Sequence, residues 1–310
     1  MTLPTQNPDP APVSRVVLIT GASSGFGNLS ARALARAGHI VYAGMRDVTG
    51  RNAAAAAELD ALAGAEKVRI GAIDMDVQDQ DSVDGAVARV LGDQQHLDVV
   101  VHNAGHMVLG PAEAFTIEQL ATVYDINVLS TQRVNRAVLP TLRAQGSGLL
   151  LWVGSSSTRG GHPPFLAPYF AAKAAMDALA ESYAAEIVKF GIDTTIVVPG
   201  AYPSGTNHFA HAGVPADTDR ADAYDGTYGQ LRERLTPALT SIFPPGRTAD
   251  EVADAIVTIV DAPAGQRPFR VHVDPSRDGS EVVSAVGDRI RAEFYHRIGI
   301  SELLPANPSL

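Results

Sequence analysis

The chain has no cysteine and, among its 310 residues, only three lysines and one tryptophan. Without cysteine there are no disulfides, no thiolate nucleophile and no cysteine-bound metal. The absence suits a reducing compartment, so a cytoplasmic location is expected. Long apolar runs are also missing, and nothing approaches the roughly 18 residues that suggest a membrane span. The opening MTLPTQNPDPAPVS is polar and Pro-rich, without the apolar core of a signal peptide, so residues 1–13 read as a disordered tail. Basic charge is in short supply: 24 Lys and Arg face 34 Asp and Glu, a formal charge of −10. That balance fits nucleic acid poorly, because nucleic-acid binding needs a basic footprint, yet it leaves room for a local basic pocket that holds a phosphate. His102, His106, His162, His208 and His211 follow no metal-ligand spacing, and no metal is expected. His106 and His162 follow motifs at strand ends and are candidates to line a substrate pocket.

What is present is a regular alternation. Apolar runs at 15–20, 39–45, 67–74, 97–102, 148–154 and 192–199 have the composition of strands buried on both faces of a parallel sheet, and 268–274 is a seventh candidate. Segments of helical spacing separate them; in the first, Leu29, Ala33, Leu34 and Ala37 share a stripe and Gly38 is a natural stop. Strand–helix repetition of this kind predicts an α/β fold: a doubly wound, Rossmann-like parallel sheet of about seven strands with helices on both faces. Residues 14–310 are expected to form one domain. The alternation fails from Ala201 to about Gly246, where glycines, prolines and aromatic residues mix. A long irregular segment after a strand's C-terminal end reads as a substrate-binding loop or lid, helical over about 217–235. Residues 275–310 read as a C-terminal extension.

Five motifs carry chemistry. TGASSGFG, Thr20 to Gly27, joins the first strand to the first helix, where glycines let a pyrophosphate approach the backbone and the helix start offers N–H groups. Gly21, Ser23, Ser24, Gly25, Phe26 and Gly27 are its candidate cofactor contacts. The turn lacks the Gly-Lys-Ser/Thr ending of a nucleoside triphosphate loop. The second strand ends in Met45-Arg46-Asp47; Arg46 suits a 2′-phosphate and favours NADP(H), whereas Asp47 turned into the pocket favours NAD(H). Asn103, Ala104 and Gly105 make a small turn after the fourth strand, suited to lying against an adenosine. Tyr169 and Lys173 stand one helical turn apart on one face, where an ammonium lowers the tyrosine's pKa and fits it for proton transfer. The serine run 155–157 closes the fifth strand and offers a hydrogen bond to a carbonyl oxygen that gains charge in reaction. It does not form the G-x-S-x-G elbow of a hydrolase.

Taken together these residues resemble the short-chain dehydrogenase/reductase family, closely over 14–200 and in outline beyond. T-G-x-x-x-G-x-G matches Thr20 to Gly27, Y-x-x-x-K matches Tyr169 and Lys173, and P-G matches Pro199 and Gly200. The family's N-N-A-G appears as His102 to Gly105, a departure at the first Asn that affects one turn contact. The resemblance implies that Asn127 is the family's helix asparagine, that Asp76 with Val77 contacts adenine, and that the chain falls with NADP-preferring, hydroxysteroid-dehydrogenase-like members. It implies catalysis by Asn127, Ser156, Tyr169 and Lys173, with Tyr169 and Lys173 also touching the cofactor. A spacing of thirteen residues to the tyrosine selects Ser156; counting forward from the glycine that opens the fifth strand selects Ser155, and S-x-x-G selects Ser157. The implied reaction interconverts a carbonyl and a secondary alcohol on a small, hydrophobic molecule. NADP(H) is the implied cofactor and a homodimer or homotetramer the implied assembly. The competing functions are a non-catalytic NADP-binding sensor or scaffold, and an epimerase or dehydratase of the related longer family.

Overall fold

Each apolar run contributes to two cores at once, because successive side chains of a strand point to opposite faces. Val17 and Ile19 of the first strand face one layer, Val16 and Leu18 the other. The computed structural model describes residues 13–206 and 209–305. Most of the expected tail therefore lies outside the described residues.

Seven parallel strands form one sheet: β1 Val16–Ile19, β2 Ile40–Met45, β3 Arg69–Asp74, β4 Val99–His102, β5 Gly148–Val153, β6 Ile192–Pro199 and β7 Arg270–Val273. Their order is β3-β2-β1-β4-β5-β6-β7, so winding reverses between β1 and β4, the place where open α/β sheets bind ligands. One face is covered by α1 (Gly25–Arg36), α2 (Ala53–Glu66) and α9 (Asp250–Asp261). The other carries α3 (Gln80–Gln94), α5 (Ser130–Gln145) and α6 (Ala167–Ile187). The expected doubly wound architecture is what the chain adopts. Trp152 on β5 is fully buried beneath α5 and α6.

α2 continues through Gly64 to Glu66 and ends on Lys67 in the left-handed region (φ 56°). The helical stretch from 117 to 145 is broken: α4 (Ile117–Tyr124) passes into a π-helical turn, Asp125–Leu129, before α5. Insertions of this kind are frequent at functional sites, and this one contains Asn127. Within 201–246 the chain forms α7 (Thr218–Ala223) and α8 (Asp225–Ser241), so helix extends six residues past the expected end. The C-terminal extension forms α10 (Ser280–Arg297). No helix among the described residues is long and apolar enough to cross a membrane.

Candidate active site

Two cavities, each of about 490 Å³, open at the C-terminal ends of the strands and share Phe26, Asn103, Gly105 and Met107 in their walls. They form one cleft with two unlike halves.

The first half starts from Thr20, the last residue of the β1 run. Its hydroxyl accepts from the backbone N–H groups of Asn103 (3.0 Å) and Ala104 (3.0 Å), which ties the two turns together. The Asn103 amide nitrogen donates to the carbonyls of Thr20 and Gly21, both at 2.9 Å. Gly21 has φ +66°, and a Cβ there would come within 2.7 Å of the Ala104 Cα. Only glycine fits that close approach. Gly21, Ser23, Ser24, Gly25, Phe26, Arg46, Asp76, Val77, Asn103, Ala104 and Gly105 all line this half. Gly27 lines neither half: it packs behind the turn, where a Cβ would sit 2.4 Å from the Asn103 amide nitrogen. Asp76 is held by its own loop, its backbone N–H donating to Ser82 and its carboxylate accepting from Gln78 N–H.

The end of β2 settles how Asp47 lies. Its backbone adopts φ 52°, and its carboxylate accepts from the Arg51 N–H at 2.7 Å and lies against Gly50. It therefore caps its own loop and does not line the cleft. Arg46 and Arg51 do line it, and their charges add to burial in holding His106 below the ordinary histidine pKa. His106 belongs to this half and not to the apolar half, so of the two histidines expected in a substrate pocket only His162 lines the second cavity. His102, which replaces the first Asn of the family motif, is fully buried against Trp152. Burial pushes its pKa down to about 4, so it is neutral and donates from Nε2 to the Asn135 carbonyl oxygen at 2.8 Å.

The second half is built by β5, the serine turn, α6 and the 201–246 segment. Tyr169 and Lys173 lie in the first two turns of α6, both buried. Lys173 Nζ donates to the Val153 carbonyl at 3.0 Å, which anchors the helix to the end of β5. Ser155 lies close enough to Tyr169 to oppose the rise of its pKa, and Ser155 and Ser156 both line the cavity beside it. The backbone is still extended at Ser155 (φ −163°, ψ 144°) and tightens into a 3₁₀ turn at Ser156–Thr158, and a residue count across that turn fixes no side-chain direction. Ser155 Oγ also accepts from Ser157 N–H at 3.2 Å and lies 2.7 Å from Ser157 Oγ. Ser156 is buried and lines the cavity, with its carbonyl accepting from Arg159 and Gly160 N–H.

The expected acidification of Tyr169 by Lys173 is not the direction that burial gives. Burial pushes Tyr169 up to about 12, opposed by Ser155, and pushes Lys173 down to about 8. Desolvation disfavours both charged forms, which sets both directions. Asn127 is fully buried in the π-helical turn; its amide nitrogen donates to the carbonyls of His106 and Val123, both at 2.9 Å, and its oxygen accepts from His106 N–H. A Cβ on Gly105 would stand 2.9 Å from the Asn127 oxygen and 3.6 Å from Lys173 Nζ, so Gly105 keeps open the space in front of both. Pro199 and Gly200 line the second cavity, with Gly200 pressed against Asp274.

A model of the short chain dehydrogenase family matches residues 15–213. This chain is a short-chain dehydrogenase/reductase. It is 33% identical to human 17-beta-hydroxysteroid dehydrogenase type 1 over 253 residues, covering 80% of this chain and 74% of that protein. Among solved structures it resembles a short-chain dehydrogenase from Streptomyces avermitilis (TM-score 0.70, 31% identity, 93% of this chain and 98% of that one). It also resembles an alcohol dehydrogenase from Thermococcus sibiricus complexed with 5-hydroxy-NADP (TM-score 0.65, 25% identity, 84% of this chain and 96% of that one). The family makes the protein an oxidoreductase that acts on small molecules with a nicotinamide cofactor. The cleft fits such a group: the Gly21 and Gly105 approaches keep space that any Cβ would fill, and Arg46 and Arg51 set positive charge at the β2 end.

Sequence reasoning missed several residues of this dehydrogenase cleft. Thr20 was noted only as the start of a motif, although its hydroxyl joins two loops. Arg51 and Asn52 line the cleft from a loop whose fold depends on Asp47. Leu239, Ile242, Ser276 and Asp278 reach the second half from distant parts of the chain, and no local pattern marks them. Among the described residues no cluster of three or more His, Asp or Glu is arranged to hold a metal.

Proposed function

We propose that this protein is an NADP-dependent carbonyl reductase or secondary-alcohol dehydrogenase in which Tyr169 is the proton donor and acceptor. The observation that carries the reading is Tyr169 itself: buried, sharing a cavity wall with Ser155, with Lys173 one turn on, in the apolar half of a cleft whose other half is cationic. The Gly-rich turn at 21–26, Asp76 and Asn103 to Gly105 would hold the dinucleotide, with Arg46 and Arg51 at a 2′-phosphate. When bound, the nicotinamide supplies or accepts the hydride. Ser155 orients the substrate oxygen and Tyr169 toward each other by hydrogen bonding to both. Tyr169, protonated at neutral pH, gives its proton to the nascent alkoxide as the carbonyl is reduced and takes it back in the oxidation. Lys173 fixes the first turns of α6 through Val153 and places a positive charge near the developing anion. The π-helical turn holds Asn127 against the His106 backbone, at the wall that Gly105 keeps open.

Support for NADP over NAD comes from Asp47, whose carboxylate is used within its loop, and from the paired arginines. The Thermococcus sibiricus relative carries an NADP derivative. The substrate half is walled by Met107, Leu166, Phe170, Phe209, Leu239 and Ile242, which suits a medium-sized apolar ketone or alcohol; the two aliphatic residues of α8 and its C-terminal edge make the 201–246 segment its cover. The test is NADPH oxidation at 340 nm with a panel of apolar ketones, wild type against Tyr169→Phe. Turnover by wild type that the variant loses supports the reading, and equal turnover by the two overturns it.

A homo-oligomer is part of the same reading. Val283, Val286, Ile290, Phe294 and Ile298 recur three or four residues apart on α10 and are each about half exposed, an apolar stripe beside an Arg289–Glu293 pair. Two copies packed antiparallel along this stripe would set Arg289 of one near Glu293 of the other. Because the chain has no cysteine, Ile290→Cys reports this directly: a disulfide dimer under mild oxidation supports it, and a monomer that does not cross-link overturns it.

A further inference from the structure

On α6 the residues four apart are Tyr169, Lys173, Asp177 and Glu181, a single stripe. The first two face the cleft. The last two receive a set of buried ion pairs that the reaction does not use. Arg159, at the end of the serine turn, donates from one nitrogen to Asp177 (2.9 Å) and Glu181 (2.6 Å). Arg270 on β7, 1% exposed, donates to Asp177 (2.5 Å), Glu181 (2.7 Å) and, from Nε, Asp288 of α10 (3.1 Å). Arg291 approaches Asp288 at 3.6 Å and lies over the Phe269 ring. Three guanidinium groups thus meet three carboxylates, so the cluster is balanced in charge. Burying such groups is costly, and removing one partner leaves an uncompensated charge, so a network like this fixes geometry more than it adds stability.

We infer that Arg159 is a positioning residue for the reaction: it locks the turn that carries Ser155 onto the same helix that carries Tyr169 and Lys173, with the C-terminal extension as the backstop. This rests on the reading of the site given above. The turn is short, and its other hydrogen bonds are largely local, among them Thr158 N–H to Ser155 O (3.1 Å), Gly160 N–H to Ser156 O (2.8 Å) and His162 Nε2 to Ser157 O (2.6 Å). Arg159 sits four residues beyond Ser155, and its side chain spans from that turn to the third and fourth turns of α6. The extension closes the arrangement from outside. A Cβ on Gly287 of α10 would lie 2.9 Å from an Arg159 guanidinium nitrogen, one on Gly160 would strike Asp278 at 2.4 Å, and Gly161 N–H donates to the Asp278 carbonyl at 3.1 Å. The serine and the tyrosine come from separate elements, and reacting groups displaced by about 1 Å lose on the order of 100-fold in rate. Arg159 is the side chain that holds those two elements in one register.

The test compares four variants with wild type: Arg159→Met, Arg159→Lys, Arg291→Met and Tyr169→Phe. Arg159→Met is expected to lower kcat about 10- to 100-fold with the NADPH dissociation constant unchanged, and Arg159→Lys, which keeps a charge able to reach one carboxylate, to recover part of it. Arg291→Met disturbs the same network without touching the serine turn; it should lower Tm and leave kcat near wild type. Hydrogen exchange gives a readout separate from turnover, with the Thr158 and Gly160 amides exchanging faster in Arg159→Met than in Arg291→Met. Wild-type kcat and unaltered exchange in Arg159→Met overturn the inference, as does an equal loss of kcat in Arg291→Met, which would make the network merely structural. Should Arg159→Met fail to fold, Gly287→Ala, which intrudes on the guanidinium and removes no charge, takes its place with the same expected split. Tyr169→Phe separates the two levels: if it turns over like wild type the site reading fails, and if it is inactive while Arg159→Met is not, only the positioning role fails.

Discussion

The two halves of the cleft have the same volume, about 490 Å³ each, and almost opposite construction. The β1–β4 half is made of backbone: glycine turns, a threonine hydroxyl that joins two loops, and arginines at its rim. The β5–β6 half is made of side chains, aromatic and aliphatic, gathered from six separate parts of the chain around a buried Tyr–Lys pair. The difference teaches where substitution is tolerated. A wall of backbone admits one ligand shape and breaks when a Cβ is added, whereas a wall of apolar side chains can be re-cut residue by residue.

Tyr169→Phe gives the largest expected effect, because it removes the proton donor from the apolar half and leaves the backbone half intact. Steady-state kinetics should show kcat down by about 10²- to 10⁴-fold, with NADPH affinity by fluorescence unchanged; a parallel loss of affinity would break the separation between the halves. The buried lysine gives the next effect. Burial pushes the pKa of Lys173 down to about 8 from the ordinary lysine value of 10.5, so between those pH values the unfolded chain binds more protons than the folded one and stability rises with pH. This group's contribution amounts to about 3 kcal/mol at most. Urea unfolding of wild type should therefore gain stability from pH 8 to 10.5 relative to Lys173→Met, and parallel pH curves would show that the lysine is not desolvated.

In the backbone half, Gly21→Ala combines a left-handed φ of +66° with a 2.7 Å approach to the Ala104 Cα. A cost of about 1–3 kcal/mol is expected, read as a lower Tm together with weaker NADPH binding; unchanged binding would show that the turn has slack. Arg46→Ala should weaken NADPH by about tenfold, the scale of one charge-assisted hydrogen bond, and leave NADH nearly unchanged in the same titration. Equal losses for both cofactors would remove the 2′-phosphate from the account. The smallest effect belongs to the apolar wall. Phe209→Ala should raise KM for an apolar ketone several-fold through lost contact area, with kcat for a smaller ketone and NADPH affinity both retained.

The same contrast explains how much could be read from the sequence. The seven strands were legible because a strand buried on both faces must be apolar throughout, and each expected run contains an observed strand. Thr20 to Gly27, Asn103 to Gly105, Tyr169 and Lys173 were legible because each is a short contiguous pattern at a strand or helix end. The three serines could not be told apart from the sequence, because the direction of each side chain is set by a 3₁₀ turn. The tyrosine's acidity shows a similar limit: the neighbouring Lys173 is visible in a four-residue spacing, but the burial that pushes Tyr169 up is made by the elements packed around α6. Gly27 matched its motif and proved to be a packing residue behind the turn.

By itself the sequence determined the parallel sheet, the order of its elements and the residue types at the strand ends, because these follow from local periodicity and backbone permissiveness over a few residues. Tertiary structure alone decided that the serine turn and Tyr169 share one cavity, that Asp47 is spent within its own loop, that Asp278 and Ile242 wall the same cavity as Tyr169, and that Arg159 bridges the serine turn to α6. The reason is physical: hydrogen bonds, ion pairs and desolvation act over a few ångströms in space, and the residues they join here lie from a few to more than a hundred positions apart along the chain.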